Sequence, residues 1–426
     1  MDKYFVKKVT KKNNISVEVP GSKSITNRAL MLAAISDGLC ELRGVLFSDD
    51  SRAFLDCLIK LGFEVGIDEG KRVVTIKGEN GNIPNNSAAI HVRSAGTAAR
   101  FMTVLLSVCG GDYVLDSSEQ MKKRPMQELI DSLRHKGVVI NCLEKEGHFP
   151  FEIHSKGINK TDIIIDTTTS SQYASALLMA SAIHGMNVKL TGKRVCGAYI
   201  KITLRMLEQF GIQYKKVENT YYIEKQDFHI KKYDIEPDMS AACYFYAMAI
   251  LLRVKSVVRG LHLNSMQGDI KFLDVLQKMG CVINDLPQGI EVNAVDVKEY
   301  NGLEIDMSDF SDQALTMAVV AAFAKTPTTI QNVGHIRGQE SDRVQVIVKE
   351  LRRLGCNAEI LEADGRTDIV IVPEKMHGGE VETYEDHRVA MSFAMAGLLV
   401  DGVIIKNPMC CRKTFENYFD VLESIC

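Results

Sequence analysis

Tryptophan is absent from this 426-residue chain, and no long run of Lys or Arg occurs in it. With a formal net charge of −3, the chain lacks the basic surface that nucleic-acid binding requires. The longest nearly apolar stretch, Ala314 to Ala324, is far shorter than the roughly 20 residues of a membrane-spanning helix. The basic amino terminus has no apolar segment behind it, which predicts no secretory leader. We therefore expect a cytoplasmic protein without nucleic-acid or membrane partners.

Paired cysteine motifs are also missing. The 11 cysteines include the adjacent Cys410 and Cys411 but no CxxC spacing, which argues against a zinc ribbon and against a disulfide scaffold. HExxH, GxGxxG and GxSxG are absent as well, so a zinc protease, a dinucleotide-binding fold and a hydrolase triad have no local support. The sequence predicts neither a metal nor a nucleotide cofactor.

An internal repeat organises the chain. At 426 residues the chain exceeds what one hydrophobic core usually supports, which favours two domains. A helix that ends in Leu, three residues and Gly recurs, and the glycine supplies the left-handed residue that closes each helix. The copies are Leu58 to Gly62, Leu133 to Gly137, Leu207 to Gly211, Leu276 to Gly280 and Leu351 to Gly355. The segment from Val421 resembles a truncated sixth copy.

A second repeated feature is a helix of small residues that opens on a polar residue or glycine. The six copies begin near Ser24, Thr97, Ser171, Ser240, Asp312 and Asp386. Alanine at helical spacing predicts helices that pack closely within a layer, and the polar first residues are predicted N-caps. Six such units are too many for one core, so three per domain is the natural division.

These repeats predict two similar α/β lobes and their boundaries. The proline and acidic residues of 233–240 mark the change between the third and fourth units. The predicted N-terminal lobe is 20–236, and the C-terminal lobe is 1–19 plus 237–426, completed by the amino-terminal strand.

Polar groups gather at the starts of the small-residue helices, where backbone N–H groups and the helix dipole favour anions. Lys23, Ser24 and Arg28 lie together at one start. This segment is not a P-loop, because Ser16 stands where that motif has its first glycine. Taken alone, an ordinary capped helix start is the better interpretation.

Two other helix starts carry similar groups: Gly96 with Arg100 one turn later, and Ser170, Ser171 and Gln172. Caps of this kind are usually structural.

The second helices carry charged residues at matching places in three units: Arg124, Arg343 and Lys413. Three converging cations suit a small molecule with a phosphate and a carboxylate. Asp312 and Glu340 add two carboxylates, enough for a general base and a general acid.

Seven ordered segments identify a resemblance: PGSKSITNRAL, AGTAARF, KKRPMQELI, SSQYASAL, QESDR, DHRVAM and KTFENYF. In this order they resemble the 5-enolpyruvylshikimate-3-phosphate synthase family over nearly the whole chain. The resemblance implies two lobes of three βαβαββ units each, an inverse α/β barrel-like fold, with the active site in the cleft between the lobes. It implies transfer of the enolpyruvyl group of phosphoenolpyruvate to shikimate 3-phosphate with release of phosphate, by a monomer that glyphosate inhibits.

The resemblance also implies roles for individual residues. Shikimate 3-phosphate would contact Lys23, Ser24, Arg28, Ser170, Ser171, Gln172, Tyr199, Asp312 and Gln339. Phosphoenolpyruvate would contact Lys23, Gly96, Arg124, Gln172, Arg343, Arg388 and Lys413. Asp312 would act as the base, and Glu340 with Lys23 would deliver a proton.

Four positions depart from the common family pattern: Gln339, Cys196, Ser94 and His335 stand where Lys, Ser, Asn and Asn are frequent. Losing a lysine charge at Gln339 predicts weaker substrate binding, although its amide still donates a hydrogen bond.

Two alternatives remain at this point. The related transferase that uses UDP-N-acetylglucosamine usually has a reactive cysteine before the unit-two arginine, whereas 110–124 contains none. A non-catalytic phosphate-binding homologue is disfavoured because Asp312 and Glu340 are both present.

Overall fold

The computed structural model describes residues 2–10, 13–192, 195–363 and 365–425, so the predicted domain ends at residues 1 and 426 lie outside the described residues. Its contacts divide the chain into two compact units. The N-terminal unit is Gly21–Ile235, and the C-terminal unit combines Met1–Pro20 with Glu236–Cys426. The chain therefore passes from one unit to the other at two places, after Pro20 and after Ile235.

The amino-terminal segment contributes two strands, β1 (Lys3–Phe5) and β2 (Ile15–Val17). The helices of the N-terminal unit are α1 (Lys23–Ile35), α2 (Asp49–Lys60), α3 (Gly96–Cys109), α4 (Glu119–Lys122), α5 (Gln127–Arg134), α6 (Ser171–His184) and α7 (Ala198–Gln209). Its strands are β3 (Asp37–Arg43), β4 (Val65–Asp68), β5 (Val73–Glu79), β6 (Ser87–His91), β7 (Gly111–Asp116), β8 (Val139–Cys142), β9 (Phe151–Ser155), β10 (Thr161–Asp166), β11 (Met186–Thr191), β12 (Lys215–Val217), β13 (Thr220–Ile223) and β14 (Lys232–Asp234).

The C-terminal unit continues the same alternation. Its helices are α8 (Met239–Leu252), α9 (Phe272–Lys278), α10 (Ala314–Ala321), α11 (Arg343–Arg353), α12 (His387–Gly397) and α13 (Tyr418–Ile425). Its strands are β15 (Lys255–Arg259), β16 (Val282–Leu286), β17 (Gly289–Asn293), β18 (Glu304–Asp306), β19 (Thr328–Gln331), β20 (Asn357–Ala363), β21 (Arg366–Val372), β22 (Gly379–Val381) and β23 (Val403–Lys406). Short 3-10 helices lie at Gly268–Lys271, Ser311–Gln313, Gly334–Gly338 and Pro408–Lys413.

The strands of the described residues form six sheets with one shared pattern, a parallel pair extended by antiparallel strands. In the sheet β6-β7-β9-β8, β6 and β7 are parallel, while β7, β9 and β8 run antiparallel. The order strand, helix, strand, helix, strand, strand along β6 to β9 is the predicted βαβαββ unit. This organisation confirms the predicted α/β class.

Distant segments complete three of the sheets. The parallel partner of β3 is β14, at the far end of the N-terminal unit. In the C-terminal unit, β2 pairs in parallel with β15, and β1 pairs antiparallel with β23. The amino-terminal residues therefore belong to the sheets of the C-terminal unit.

The small-residue helices form the interior of each unit. In the N-terminal unit α1, α3 and α6 pack against one another, and in the C-terminal unit α10 packs against both α8 and α12. Every residue of α8 except Ser240 is buried. A helix that is apolar on all sides is stable only when other elements surround it, so these helices set the position of every group at their starts.

Polar residues cap some of these helices. Ser170 accepts a hydrogen bond from Gln172 N at the start of α6, and Asp386 accepts one from Arg388 N at the start of α12. Asp238, rather than Ser240, caps α8. These caps fix the first turns that carry the candidate binding residues.

The predicted capping is wrong for α1, α3 and α10. Ser24 lies inside α1, whose N-cap Ser22 accepts no side-chain capping bond, and the N-cap of α3 is Ala95 rather than Thr97. Asp312 lies in a 3-10 turn before α10, and its carboxylate is bonded to two arginines instead. Because no described side chain caps α1 or α3, their positive dipole ends suit an anion.

Two further observations concern the helices and the cysteines. Among the described ranges, no helix combines the length and the apolar character needed to cross a membrane. The cysteines that the structure describes are free thiols, and Cys410 and Cys411 remain unbridged.

The segment that leads into α12 has a strained backbone held by a buried carboxylate. Tyr384 and Glu385 both have positive φ angles, 54° and 57°, which non-glycine residues rarely adopt. Glu350 is fully buried in α11 and accepts a hydrogen bond of 2.6 Å from the Tyr384 hydroxyl. It also accepts bonds from Glu382 N and Arg353. Glu350 therefore stabilises the turn that positions Asp386.

We expect Glu350→Ala to lower the free energy of unfolding by about 3 kcal/mol, because it leaves buried donors without their acceptor. Urea unfolding followed by circular dichroism measures this change. Glu359→Ala is the matched control, since Glu359 is exposed on β20 and should change stability by less than about 0.5 kcal/mol. Equal effects of the two variants would refute the role of Glu350.

Candidate active site

Lys23 opens α1 in the N-terminal unit and lies beside a carboxylate. Its Nζ is 3.5 Å from Asp50 Oδ2, and only 16% of its side chain is exposed. Asp50 is in the first turn of α2, which packs against α1. A partly buried lysine at a helix start combines its own charge with the helix dipole, so this position favours an anion.

Arg28 lies one turn further along α1 and is 1% exposed. Its guanidinium donates hydrogen bonds to Thr203 Oγ1 at 2.8 Å, to Ser175 Oγ at 2.9 Å and to the Ser24 and Tyr199 carbonyls. Burial lowers its pKa to about 10, which the Tyr199 hydroxyl partly opposes. All these acceptors are neutral, so a positive charge is buried here beside uncharged groups. Such a site is electrostatically prepared for an anionic ligand.

Two more arginines face Gly96 at the start of α3. A Cβ added at Gly96 would lie 2.6 Å from Arg124 Nη1 and 2.9 Å from Arg100 Nη1. Burial, and then the nearby Arg124 charge, lower the pKa of Arg100 to about 9. Within the described residues the Nε atoms of both arginines lack a hydrogen-bond partner. Two like charges beside one glycine favour an anion that could bind both.

The start of α6 carries Ser170, Ser171 and Gln172. Ser170 caps the helix, and Gln172 Oε1 is a buried acceptor without a partner among the described residues. The preceding residue, Thr169, donates a 2.6 Å hydrogen bond to Glu128 in α5. This bond links the α6 start to the segment that follows Arg124.

The C-terminal unit gathers carboxylates around one guanidinium. Arg343 is 2% exposed and donates to both carboxylate oxygens of Asp386, at 2.7 and 3.1 Å. It also donates to Asp312 Oδ1 at 3.1 Å and to Glu340 Oε2. Burial lowers the pKa of Arg343, but Asp386, Glu340 and Asp312 outweigh burial, so its pKa is raised. The proposed base and acid are therefore fixed by the same cation.

Arg388 and Lys413 complete this group. Arg388 donates to Asp312 Oδ2 at 2.9 Å, and Lys413 Nζ lies 3.3 Å from Glu340 Oε1. Gln339 uses its side-chain oxygen to accept a bond from Arg343. We call Asp312, Glu340, Arg343, Asp386, Arg388 and Lys413 the C-terminal cluster.

Three neighbouring side chains in the C-terminal unit are of the types that can bind a metal ion. Glu340, Asp386 and His387 each place one ligand atom within 4.8 Å of the others. The guanidinium of Arg343 already bonds to both carboxylates, so a metal ion would have to compete with a fixed positive charge. These contacts therefore argue against a metal ion at this position.

The four departures from the family pattern have definite surroundings. Ser94 hydrogen-bonds to Ser118 at 2.6 Å, and His335 Nε2 lies 2.6 Å from Ser311 Oγ, next to Asp312. Cys196 is exposed.

The structure thus brings several of the predicted residues together within each unit. Tyr199 joins Ser24 through Arg28, and Gly96 lies against Arg124. Sequence reasoning gave no binding role to Arg100 or Asp386, although both occur in the recognised motifs AARF and DHRVAM. Their burial beside Gly96 and Arg343 was the missing information.

Comparisons with known proteins identify the family of this chain. The EPSP synthase (3-phosphoshikimate 1-carboxyvinyltransferase) family profile matches residues 8–422. The chain belongs to the EPSP synthase family. Membership confirms the resemblance found in the sequence.

Individual relatives of the EPSP synthase family cover almost the full chain. A 3-phosphoshikimate 1-carboxyvinyltransferase of Nostoc punctiforme is 38% identical over 423 residues, which are 98% of each chain. The enzyme of that name from Haemophilus influenzae is 38% identical over 428 residues, 96% of each chain. An EPSP synthase structure from Acinetobacter baumannii has a TM-score of 0.83 at 23% identity, covering 100% of this chain and 98% of that one. The structural likeness supports the fold.

We expect Gly96→Ala to raise the KM for phosphoenolpyruvate roughly tenfold or more while lowering kcat less, because the methyl group displaces the Arg124 guanidinium. Steady-state kinetics at saturating shikimate 3-phosphate measure both constants. Gly70→Ala is the control, since a Cβ there meets only Asp68 Oδ1 at 3.5 Å. An unchanged KM in Gly96→Ala would contradict the placement of phosphoenolpyruvate at α3.

Proposed function

We propose that this chain transfers the enolpyruvyl group of phosphoenolpyruvate to the 5-hydroxyl of shikimate 3-phosphate and releases phosphate. The product belongs to the shikimate pathway of aromatic amino-acid biosynthesis. The observation that carries the proposal is the pairing of Asp312 and Glu340 on Arg343, beside Arg388 and Lys413. It combines two proton-transfer groups with cations for a phosphate and a carboxylate.

Binding of shikimate 3-phosphate is assigned to charged and neutral polar groups. The charged phosphate suits Lys23 and Arg28, and the hydroxyls suit neutral donors and acceptors. The proposed contacts are Lys23, Ser24, Arg28, Ser170, Ser171, Gln172, Tyr199, Asp312 and Gln339.

Binding of phosphoenolpyruvate is assigned mainly to arginine and lysine side chains, whose charges suit its phosphate and carboxylate groups. The uncapped start of α3 supports this choice, as does the pair of guanidiniums at Gly96. The proposed contacts are Lys23, Gly96, Arg124, Gln172, Arg343, Arg388 and Lys413.

Asp312 is the proposed base. It takes the proton of the 5-hydroxyl while the hydroxyl oxygen bonds to the central carbon of phosphoenolpyruvate. Two guanidinium groups, from Arg343 and Arg388, orient its carboxylate. A base held at both oxygens needs little reorganisation when the substrate arrives.

Glu340, with Lys23, is the proposed source of the proton that the enolpyruvyl methylene carbon receives. This addition forms a tetrahedral intermediate, which then loses a proton from that carbon and releases phosphate. In the structure Glu340 is an ion-pair partner of Arg343 and Lys413. Substrate anions would compete for these cations, which weakens their hold on Glu340 and favours its protonated form.

Other parts of the proposal concern the working form of the protein. We propose that a single copy is active, because every group in the mechanism comes from this chain. Free thiols support a reducing, cytoplasmic location. Phosphate release from phosphoenolpyruvate with the UDP-sugar in place of shikimate 3-phosphate would instead support the alternative transferase, which the comparisons do not favour.

We expect Asp312→Asn to lower kcat by about 100-fold to 10,000-fold, because the amide cannot accept the hydroxyl proton. Phosphate release with both substrates measures turnover, and calorimetry measures shikimate 3-phosphate binding, which should be largely kept. Asp309→Asn is the control, since Asp309 pairs with Lys271 at the surface. Turnover near the wild-type rate in Asp312→Asn would overturn the base assignment.

A further inference from the structure

One buried carboxyl beside the C-terminal cluster has no part in the mechanism above. Asp269, in the 3-10 helix before α9, is 8% exposed. Its Oδ2 accepts a hydrogen bond of 3.0 Å from Gln313 Nε2 and another from the Ser240 hydroxyl. Gln313 is the neighbour of Asp312 in sequence, so the proposed base and Asp269 are joined through one short turn.

A second connection runs through α8 and α12. The Ser240 hydroxyl that donates to Asp269 lies 3.4 Å from Arg388 Nη2, which also donates to Asp312. Asp269 is therefore linked to Asp312 from two sides, by Gln313 and by Ser240 with Arg388. The charge of Asp269 is therefore close to the groups that orient the base.

The charges of this region do not balance. Among the described residues, Asp269 and the C-terminal cluster comprise four carboxyls and three cations, namely Asp269, Asp312, Glu340 and Asp386 with Arg343, Arg388 and Lys413. All seven side chains are largely buried, so an uncompensated negative charge would repel an anionic substrate. A proton on one of the four carboxyls would make this set of seven side chains neutral.

Asp269 is the carboxyl best suited to hold that proton. Burial, and then the neighbouring Asp312 carboxylate, raise its pKa to about 6, against the opposing effects of Arg388, Ser240 and Gln313. Asp386, in contrast, is bonded through both oxygens to Arg343. Among the described residues, Cys243 on α8 also faces Asp269, since its thiol donates to the Asp269 carbonyl; burial, together with Asp269 and Asp238, raises the pKa of Cys243.

We propose that Asp269 is a positioning residue that takes up a proton when the C-terminal cluster binds an anionic substrate. The neutral carboxyl keeps Ser240 and Gln313 in place around Arg388 and Asp312 while removing one negative charge. This inference rests on the proposed function for the identity of the anion, phosphoenolpyruvate. It adds a group that acts on affinity without touching the substrate.

The first test needs no substrate. The pKa of the Asp269 carboxyl is about 6 in the folded protein, against an ordinary value of 3.8. Ionisation of Asp269 therefore lowers the free energy of unfolding, by nothing below about pH 3.8 and by its full amount above about pH 6. Asp269→Asn removes this cost. We compare the melting temperature of Asp269→Asn with that of wild type at each pH. The variant's advantage should be roughly 4 °C larger at about pH 8 than at about pH 5.

Asp274→Asn is the matched control. Asp274 is exposed on α9, five positions away, so its melting temperature relative to wild type should not vary with pH in this way. A flat difference for Asp269→Asn, equal to that of the control, would show that Asp269 is ionised throughout and would overturn the proposal.

The second test measures the coupling to substrate. As pH rises through about 6, the KM for phosphoenolpyruvate should increase in wild type. This increase should be at least roughly threefold larger than the increase in Asp269→Asn. Ionisation of phosphoenolpyruvate itself affects both proteins equally and therefore cancels in the comparison. If kcat changed with pH in parallel with KM, the effect of the substitution would be a general structural one, which would count against the proposal. Equal pH dependence of KM in the two proteins would overturn the coupling.

Ser240→Ala provides a milder variant if Asp269→Asn does not fold. Loss of the serine hydroxyl removes a bond that lowers the pKa of Asp269, so the pH dependence of KM should move to higher pH. A shift to lower pH, or none, would count against the proposal. If wild-type protein released no phosphate from the two substrates, the proposed function would be refuted. The melting temperatures of wild type and Asp269→Asn at different pH values would still show whether Asp269 holds a proton.

Discussion

The buried guanidinium of Arg343 is the interaction on which the C-terminal half of the site depends. Arg343 begins α11, yet its partners come from a 3-10 turn, from the residues just before α11 and from the start of α12. A buried cation of this kind costs much free energy unless its hydrogen bonds are all made. The same requirement that stabilises Arg343 therefore holds Asp312, Glu340 and Asp386 within reach of one another.

The buried arginines discussed for the two units have opposite surroundings. In the N-terminal unit Arg28 and Arg100 are buried against neutral acceptors, and burial lowers the pKa of each. In the C-terminal unit the cations are paired with carboxylates, which raises the pKa of Arg343. The first arrangement favours an anion directly, whereas the second supplies groups that can exchange protons.

The fold provides a reason for this arrangement. Each repeat buries a helix of small apolar residues on all sides, and the polar groups can then lie only at the helix ends. The starts of α1, α3 and α6 carry Lys23, Gly96 and Gln172 in this way. Before α12, the strained residues Tyr384 and Glu385 form the turn that positions the polar helix start. The buried Glu350 stabilises this turn through its hydrogen bond with Tyr384.

Local sequence patterns were sufficient for much of this description. The repeated Leu and Gly, the small-residue helices and the seven ordered motifs predicted the α/β class and the family, because helix ends and helix periodicity depend on neighbouring residues. The motifs also placed Lys23 and Gly96 at helix starts. Capping was predicted less well, since a polar side chain such as Asp312 can leave the helix start for a stronger partner elsewhere.

The pairings themselves depended on the tertiary structure. Nothing near Arg343 in sequence indicates that Asp312 and Asp386 would reach it, because those contacts form only when α10, α11 and α12 pack together. The same holds for Arg124 against Gly96 and for Asp269 against Asp312. The sequence by itself thus determined which chemical groups the protein has and which helix ends carry them, whereas only packing decided which charges meet, how deeply they are buried and where a proton is held.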